Sequence, residues 1–460
     1  MTAPTADDVR SWLLRGDVRA VRIAWCDWHG LMRGKSLMPA AAAQALDDGV
    51  SMVSTIVLKD TSDRTVVPVF ETGALAGLSG FGMANNLVLH PDPASFRRLP
   101  WAPGTAWMRA EPRWGDGAPL AVDPRRALEV AVQRLARRGL ALRCGLEAEF
   151  HVYRIEDAGD GADPADAHWP GEPPRVSLLH PGWQLLGETW ADRADEALAI
   201  VRETALGLGL PLRSLEVELG PSQFEAVFDP VGPLEAADHM ALLRSAVKQA
   251  LRRAGYHATF MCRPPFPQVM SSGWHLHHSI VDAVSGRSLQ ADLGEHWLGG
   301  LVAHGRGMAS FCTSTVNGYG RFRPNAMAPV SVQWGRDNRG TMLRVLGDGE
   351  HARIENRLGE PLANPYLYIA AQIHAGLDGL ERRLDPGPAA TSPYAATHAP
   401  PVPASLGEAL DALQADATIA AAFGAELVDC WTRIKRSEQA RHDAAADKEL
   451  WQRREYFSRY

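Results

Sequence analysis

Five glutamates and one histidine, each set in a strand-like stretch, constrain this chain more than any other feature. They are Glu147 and Glu149 in Gly145-Leu-Glu-Ala-Glu-Phe150, Glu218 and Glu225 in Glu218-Leu-Gly-Pro-Ser-Gln-Phe-Glu225, His275 in Ser272-Gly-Trp-His-Leu-His277, and Glu355 in Arg353-Ile-Glu-Asn-Arg357. Each stretch alternates, so residues two apart share a strand face. Leu146, Ala148 and Phe150 behind the first pair mark a central strand. Taken singly, each pair also fits a solvated face or cross-strand decoration, and His275-Leu-His277 fits satisfied core histidines. Taken together they concentrate negative charge on apolar strands, which is costly unless something positive sits among it. Oxygen-rich sites suit the hard cations Mg²⁺ or Mn²⁺.

Arginines form a second concentration. Arg321 precedes Asp337-Asn-Arg-Gly-Thr-Met-Leu-Arg344, and Arg353 and Arg357 follow. Guanidinium groups bind phosphates and carboxylates in a bidentate fork and stay charged. Arginines beside acidic metal ligands are what phosphoryl transfer requires. The chain has no GxxxxGK[ST] loop and no GxGxxG opening a helix after a strand, so a nucleotide must be held some other way.

Composition narrows the class. Apolar residues make up 46%, charged residues 22%, and net charge is −7, so no nucleic-acid-binding stripe is expected. Five dispersed cysteines without a CxxC pair fit a reducing cytoplasm. The first residues lack a signal-peptide pattern, and no apolar run is long enough for a membrane span.

Helices are expected over 7–15, 39–48, 124–138, 192–208, 236–255 and 366–384, and helical structure from 406 to 460. A hairpin is expected from Val21 to Leu37 around Trp28-His-Gly30, and Glu218 and Glu225 can meet across a second one. Loops are expected over 156–175 and 385–404. The fold class is α+β: a small, mainly β first domain (1–108), then a large domain (109–460).

These segments, in this order and spacing, resemble the glutamine synthetase superfamily from about Val21 to Tyr460. The most specific matches are Gly145–Phe150, Gly220–Glu225, Ala258-Thr-Phe-Met261, Ser272–His277, Trp334-Gly-Arg-Asp-Asn-Arg339 and Arg353–Arg357 continuing to Ala363-Asn-Pro-Tyr366. Pro91-Asp-Pro93, Leu99-Pro-Trp101 and Trp451–Tyr456 look more like the branch that ligates glutamate to organic amines. The resemblance implies a β-grasp N-terminal domain, a large catalytic domain, and a homo-dodecamer of two hexameric rings. It implies one metal on Glu149, Glu218 and Glu225 and another on Glu147, His275 and Glu355. Arg339, Arg344 and Arg357 would act on the ATP phosphates and the transferred phosphoryl group. Arg321, Ser271 and Gly273 would bind the amino-acid substrate, and His277, Ser279 and Arg344 the nucleotide. The implied chemistry is phosphorylation of glutamate's side-chain carboxylate by ATP, then attack of an amine on the acyl phosphate.

The departures concern the amine. Met327 in Arg321-Phe-Arg-Pro-Asn-Ala-Met-Ala-Pro329 stands where ammonia-using members carry a glutamate. The second ammonium-binding group, an aspartate from a neighbouring subunit, corresponds to Lys59, Asp60 or Asp63. Met270-Ser271 replaces Asn-Gly in the glutamate-binding loop. An ammonium must lose a proton before it attacks, and an anionic pocket collects and deprotonates it. Met327 therefore points to an organic amine, monoamine or weakly basic, rather than ammonia. Three alternatives are an ammonia-using synthetase with a differently built ammonium site, a ligase for another carboxylate, and a non-catalytic assembly protein.

Overall fold

The computed structural model describes residues 3–156, 167–395 and 398–460. Parts of the two expected loops, 157–166 and 396–397, lie outside the described residues.

The first sheet holds β1 (Ala20–Cys26), β2 (Met32–Leu37), β3 (Val50–Val53), β4 (Asn86–Pro91), β5 (Arg97–Arg98) and β6 (Thr105–Trp114). Its order is β2-β1-β6-β4-β3, with β5 also on β6. The hairpin of β1 and β2 forms as expected, and β1 runs parallel to β6. Asp27 organises the hairpin turn: its Oδ1 accepts from the His29 and Leu31 amides, both at 2.9 Å, and its Oδ2 from Arg33. The helix Pro39–Asp48 packs Ala42 and Ala45 inward and ends at Gly49. The expected boundary at residue 108 falls inside β6. This strand continues to Trp114 because Ala110 to Trp114 still pair with β4.

The second sheet holds β7 (Leu140–Ile155), β8 (Val176–Leu178), β9 (Leu212–Val217), β10 (Gln223–Val231), β11 (Tyr256–Thr259), β12 (Trp274–Asp282), β13 (Trp334–Arg336), β14 (Leu343–Leu346) and β15 (Arg353–Asn356). Its order is β13-β14-β15-β12-β7-β10-β9, with β8 and β11 on the far end of β7. Leu146, Ala148 and Phe150 of β7 are buried, and Phe150 stacks on Phe260. Helices Pro124–Ala136 and Pro233–Arg253 pack against β7, and helix Gln290–Ala303 against β12. The core lies between this sheet and its helices, which leaves the other face of β7 to the polar residues. That arrangement is a mixed α/β fold with a large second domain.

Residues 406–460 are helical nearly throughout, as expected, in helices Leu406–Ala415, Ala417–Phe423, Ala425–Asp443 and Lys448–Gln452 with short breaks between them. Asp416 breaks the run by capping the next helix through the Ile419 amide, and Gly424 by adopting φ +89°. The helix Gln290–Ala303 was not among the expected elements. It packs on the helix Pro365–Arg382 so closely that a Cβ on Gly300 would stand 2.0 Å from the Ala375 carbonyl oxygen. Among the described residues, no helix is long and apolar enough to cross a membrane.

Candidate active site

Strand register assembles the site. Antiparallel pairing puts Glu225 of β10 opposite Glu149 of β7, and His275 of β12 opposite Glu147. It puts Glu355 of β15 opposite His277, and Arg344 of β14 opposite Glu355. Residues opposite one another share a face. Five neighbouring strands thus aim these side chains at one volume.

Glu218 meets Glu225 across the β9–β10 hairpin, as expected. It lies one residue past β9 and two residues from Glu216, which is opposite Glu225, so alternation keeps it on the same face. The Glu218 amide donates to the Gln223 carbonyl (2.9 Å), which carries the strand pairing one step further. One oxygen each from Glu149, Glu218 and Glu225 lie within 4.8 Å of one another. Glu147, His277 and Glu355 form a second such group, and Glu147, Glu225 and His275 a third. His275 Nδ1 is 3.5 Å from Glu147 and 3.7 Å from Glu355, while His277 Nε2 is 3.1 Å from Glu147. All six expected metal-ligand residues therefore converge, with His277 as a seventh.

The electrostatics divide the cluster. Burial, and then Glu149, Glu147 and Glu218, push the Glu225 carboxyl far above its usual range. Burial and then Glu218 raise that of Glu149. Burial also opposes ionisation of Glu147, but His275 and His277 outweigh it and hold that carboxyl well below its usual range. Glu355 follows the same pattern: His275 and Arg357 overcome burial and bring it to about 2. Burial and Arg357 pull His275 down to about 4, so the imidazole is neutral, the form that ligates metals. Three crowded carboxylates beside a neutral imidazole form a donor set that fits hard divalent cations.

The arginines lie along one edge. Arg344 donates to Glu355 (3.1 Å) and to Asp337, and Arg357 also donates to Glu355. Arg357 further donates to the Met327 carbonyl (3.1 Å) and, through Nε, to the Arg339 carbonyl (3.0 Å). Arg339 itself is exposed, and the Arg357 contact is made through its backbone. Arg321 is buried, donates to the Arg357 and Gly359 carbonyls, and has Nη2 3.3 Å from His275 Nε2. The Gly273 amide donates to Glu149 (2.8 Å), while the Ser271 hydroxyl accepts from Arg263 (2.7 Å). Met327 is 48% exposed with φ +49°. His277 and Ser279 line a cleft of about 530 Å³ together with Arg143, Arg213, Glu350 and Arg353.

The loop from Lys59 to Asp63 is tied into its own chain. Asp60 is buried and accepts from Arg441 (2.9 Å), Asp63 pairs with Arg33 (2.9 Å), and the Lys59 carbonyl bonds to His29. Gln223 was not among the expected site residues. Its amide donates to Glu149 (3.2 Å) and Ser272 (3.0 Å), bracing the cluster. The signal was available: Gln223 is two residues before Glu225 and shares its face.

The chain is similar to known proteins in sequence and in fold. The glutamine synthetase catalytic-domain model matches residues 121–456. Gamma-glutamylanilide synthase of Acinetobacter sp is 38% identical over 98% of this chain and 95% of its own length. Gamma-glutamylethanolamide synthetase GlnA4 of Streptomyces coelicolor is 32% identical over 98% and 96%. A solved GmaS/ADP complex is 27% identical with TM-score 0.79, covering 97% of this chain and 98% of that one. The chain belongs to the glutamine synthetase superfamily, in its gamma-glutamyl-amine ligase branch.

Proposed function

We propose that this protein uses ATP to join the side-chain carboxylate of glutamate to an organic amine, forming a γ-glutamyl amide. The observation that carries the acceptor's identity is Met327: an uncharged, half-exposed side chain whose carbonyl is bound to Arg357 at the cluster's edge. Both curated relatives are named for an organic amide product, an anilide and an ethanolamide. An aromatic amine is neutral at pH 7 because its lone pair is delocalised into the ring, so it needs no anionic collector. An alkylamine must shed a proton first.

Glu149, Glu218 and Glu225 would hold one Mg²⁺ or Mn²⁺, and Glu147, His275 and Glu355 the other. Bound there, the cations supply charge neutralisation on the phosphates and on the transferred phosphoryl group. Glu147 and Glu355 suit this role because their neighbours keep them ionised. Arg344 and Arg357 steady the transferred group, with Arg339 poised outside, and their guanidinium charge persists at any working pH. Arg321, Ser271 and Gly273 position the glutamate. The cleft beside His277 and Ser279 receives the nucleotide. Met327 forms the wall that meets the amine and keeps water from competing for the activated carboxylate.

The same reading covers the rest of the chain. The first sheet is the β-grasp domain, ending after Trp114, and the catalytic domain follows. Trp183, Leu185 and Leu186, each at least half exposed, support burial in a dodecamer of two rings. Five buried, unpaired cysteines support a cytoplasmic location.

Phosphate release with glutamate, ATP and Mg²⁺ across a panel of ammonium, ethanolamine and aniline tests the reading. An organic amine should exceed ammonium by tenfold or more, and Met327→Glu should shift preference toward ammonium. Best turnover with ammonium in the unmodified protein would sink the proposal.

A further inference from the structure

A second cavity, of about 240 Å³, lies between the β1–β2 turn, the helix Pro233–Arg253 and the segment ending at Tyr460. We infer that it binds a small organic carboxylate with an apolar body.

Its charge is one-sided. Arg33, Arg244, Lys248 and Arg459 line it, and among the described residues no aspartate or glutamate does. Of these cations, Arg33 is neutralised by Asp27 and Asp63. Arg459 donates to the Thr61 carbonyl, and Lys248 to the Ala258, Ser458 and Tyr460 carbonyls. Arg244 also holds carbonyls. It is 5% exposed, and its guanidinium donates to the Pro361 (2.7 Å) and Ala363 (2.9 Å) carbonyls. Carbonyls satisfy donors but carry no net charge, and Arg244 Nε has no partner at all. Burial accordingly pulls this guanidinium below its usual range. Asp27 and Glu360 offset this burial only in part. A buried cation without a carboxylate at ion-pair distance is costly, and an anion in the adjoining cavity lowers that cost. His29, which also lines the cavity, has a second buried and unpartnered atom, Nδ1.

The fold makes room for this guanidinium. A Cβ on Gly30 would stand 2.1 Å from Arg244 Nη2, so only glycine lets the turn close over it. The opposite wall is apolar, formed by Leu31, Met32, Phe260 and Leu362. A guanidinium against an apolar wall selects a carboxylate attached to a hydrocarbon body. The volume is below the roughly 300–1,000 Å³ of drug-sized pockets, so the ligand is metabolite-sized. None of the cavity's residues belongs to the carboxylate cluster. The two sites connect through the chain: Pro361 and Ala363 follow the strand that carries Glu355, and Asn364 donates to the Asp27 and Trp28 carbonyls. An anion on Arg244 would fasten this seam.

Isothermal titration of the full-length protein with benzoate, and with inorganic phosphate as a probe lacking an apolar body, tests the inference. Benzoate should bind once per chain, at least tenfold more tightly than phosphate, with saturating glutamate present. Arg244→Gln should weaken it tenfold or more. Ser245→Asp, which places a carboxylate in the cavity without removing the arginine, should do the same while the assembly persists. Three results would overturn the inference: no benzoate binding, displacement by glutamate, or undiminished binding in Ser245→Asp.

Discussion

Two groups of buried carboxylates in this molecule are built on opposite plans. Glu438 is fully buried, and Lys435 (2.9 Å), Tyr456 and the Val316 amide donate to it. Glu360, equally buried, accepts from the Ser314 and Thr315 amides and the Thr315 hydroxyl. Each has protein donors on its oxygens, and both brace the segment that leads to Arg321. Glu225 is 8% exposed, yet its surroundings are Glu149, Glu147 and Glu218, with His275 at 4.0 Å. Crowding of this kind is relieved by a proton or by a bound cation. A carboxylate with its donors in place holds structure together, and a carboxylate facing other carboxylates waits for a ligand.

The sharpest way to break that distinction is to neutralise one member of each group. Glu225→Gln should cut turnover by on the order of 10³-fold while the melting temperature of the metal-free protein stays level, since that carboxyl already holds its proton. Phosphate release and thermal unfolding, measured on the same preparation, separate the two effects. Retained turnover would remove Glu225 from the site. Glu438→Ala should do the reverse, costing about 3–5 kcal/mol in denaturant unfolding because Lys435 is left buried and unpaired. A cost under about 1 kcal/mol would erase the contrast.

A smaller effect comes from pH. The folded pKa of Glu149 is about 7, above the ordinary 4.5. The folded state therefore binds this proton more tightly than the unfolded state does. The metal-free protein loses stability as pH rises from about 4.5 to about 7. Mn²⁺ replaces the proton, so the rise in melting temperature on adding Mn²⁺ should grow across that window. A rise independent of pH would show that the cation binds elsewhere.

Much of this site could be read from the sequence because strand alternation reports which residues share a face. Glu147 with Glu149, and His275 with His277, followed from that period alone. What brings separate strands together is register, which no short motif reports. Glu355 opposite His277 is a fact of β15 meeting β12. Glu218, one residue past β9, follows from the same period: it is two residues from Glu216, which lies opposite Glu225, so it stays on that face. In the fold, Gly299 and Gly300 interrupt the apolar period of helix Gln290–Ala303, yet Gly300 is what lets it meet the helix Pro365–Arg382.

The claim that the crowded carboxylates form a paired-cation site is tested most directly by counting ions. Titration of the metal-free protein with Mn²⁺, followed by electron paramagnetic resonance, should show two ions per chain, close enough to couple magnetically. In Glu225→Gln at least one should be lost. A single uncoupled ion, or full occupancy in Glu225→Gln, would contradict the claim.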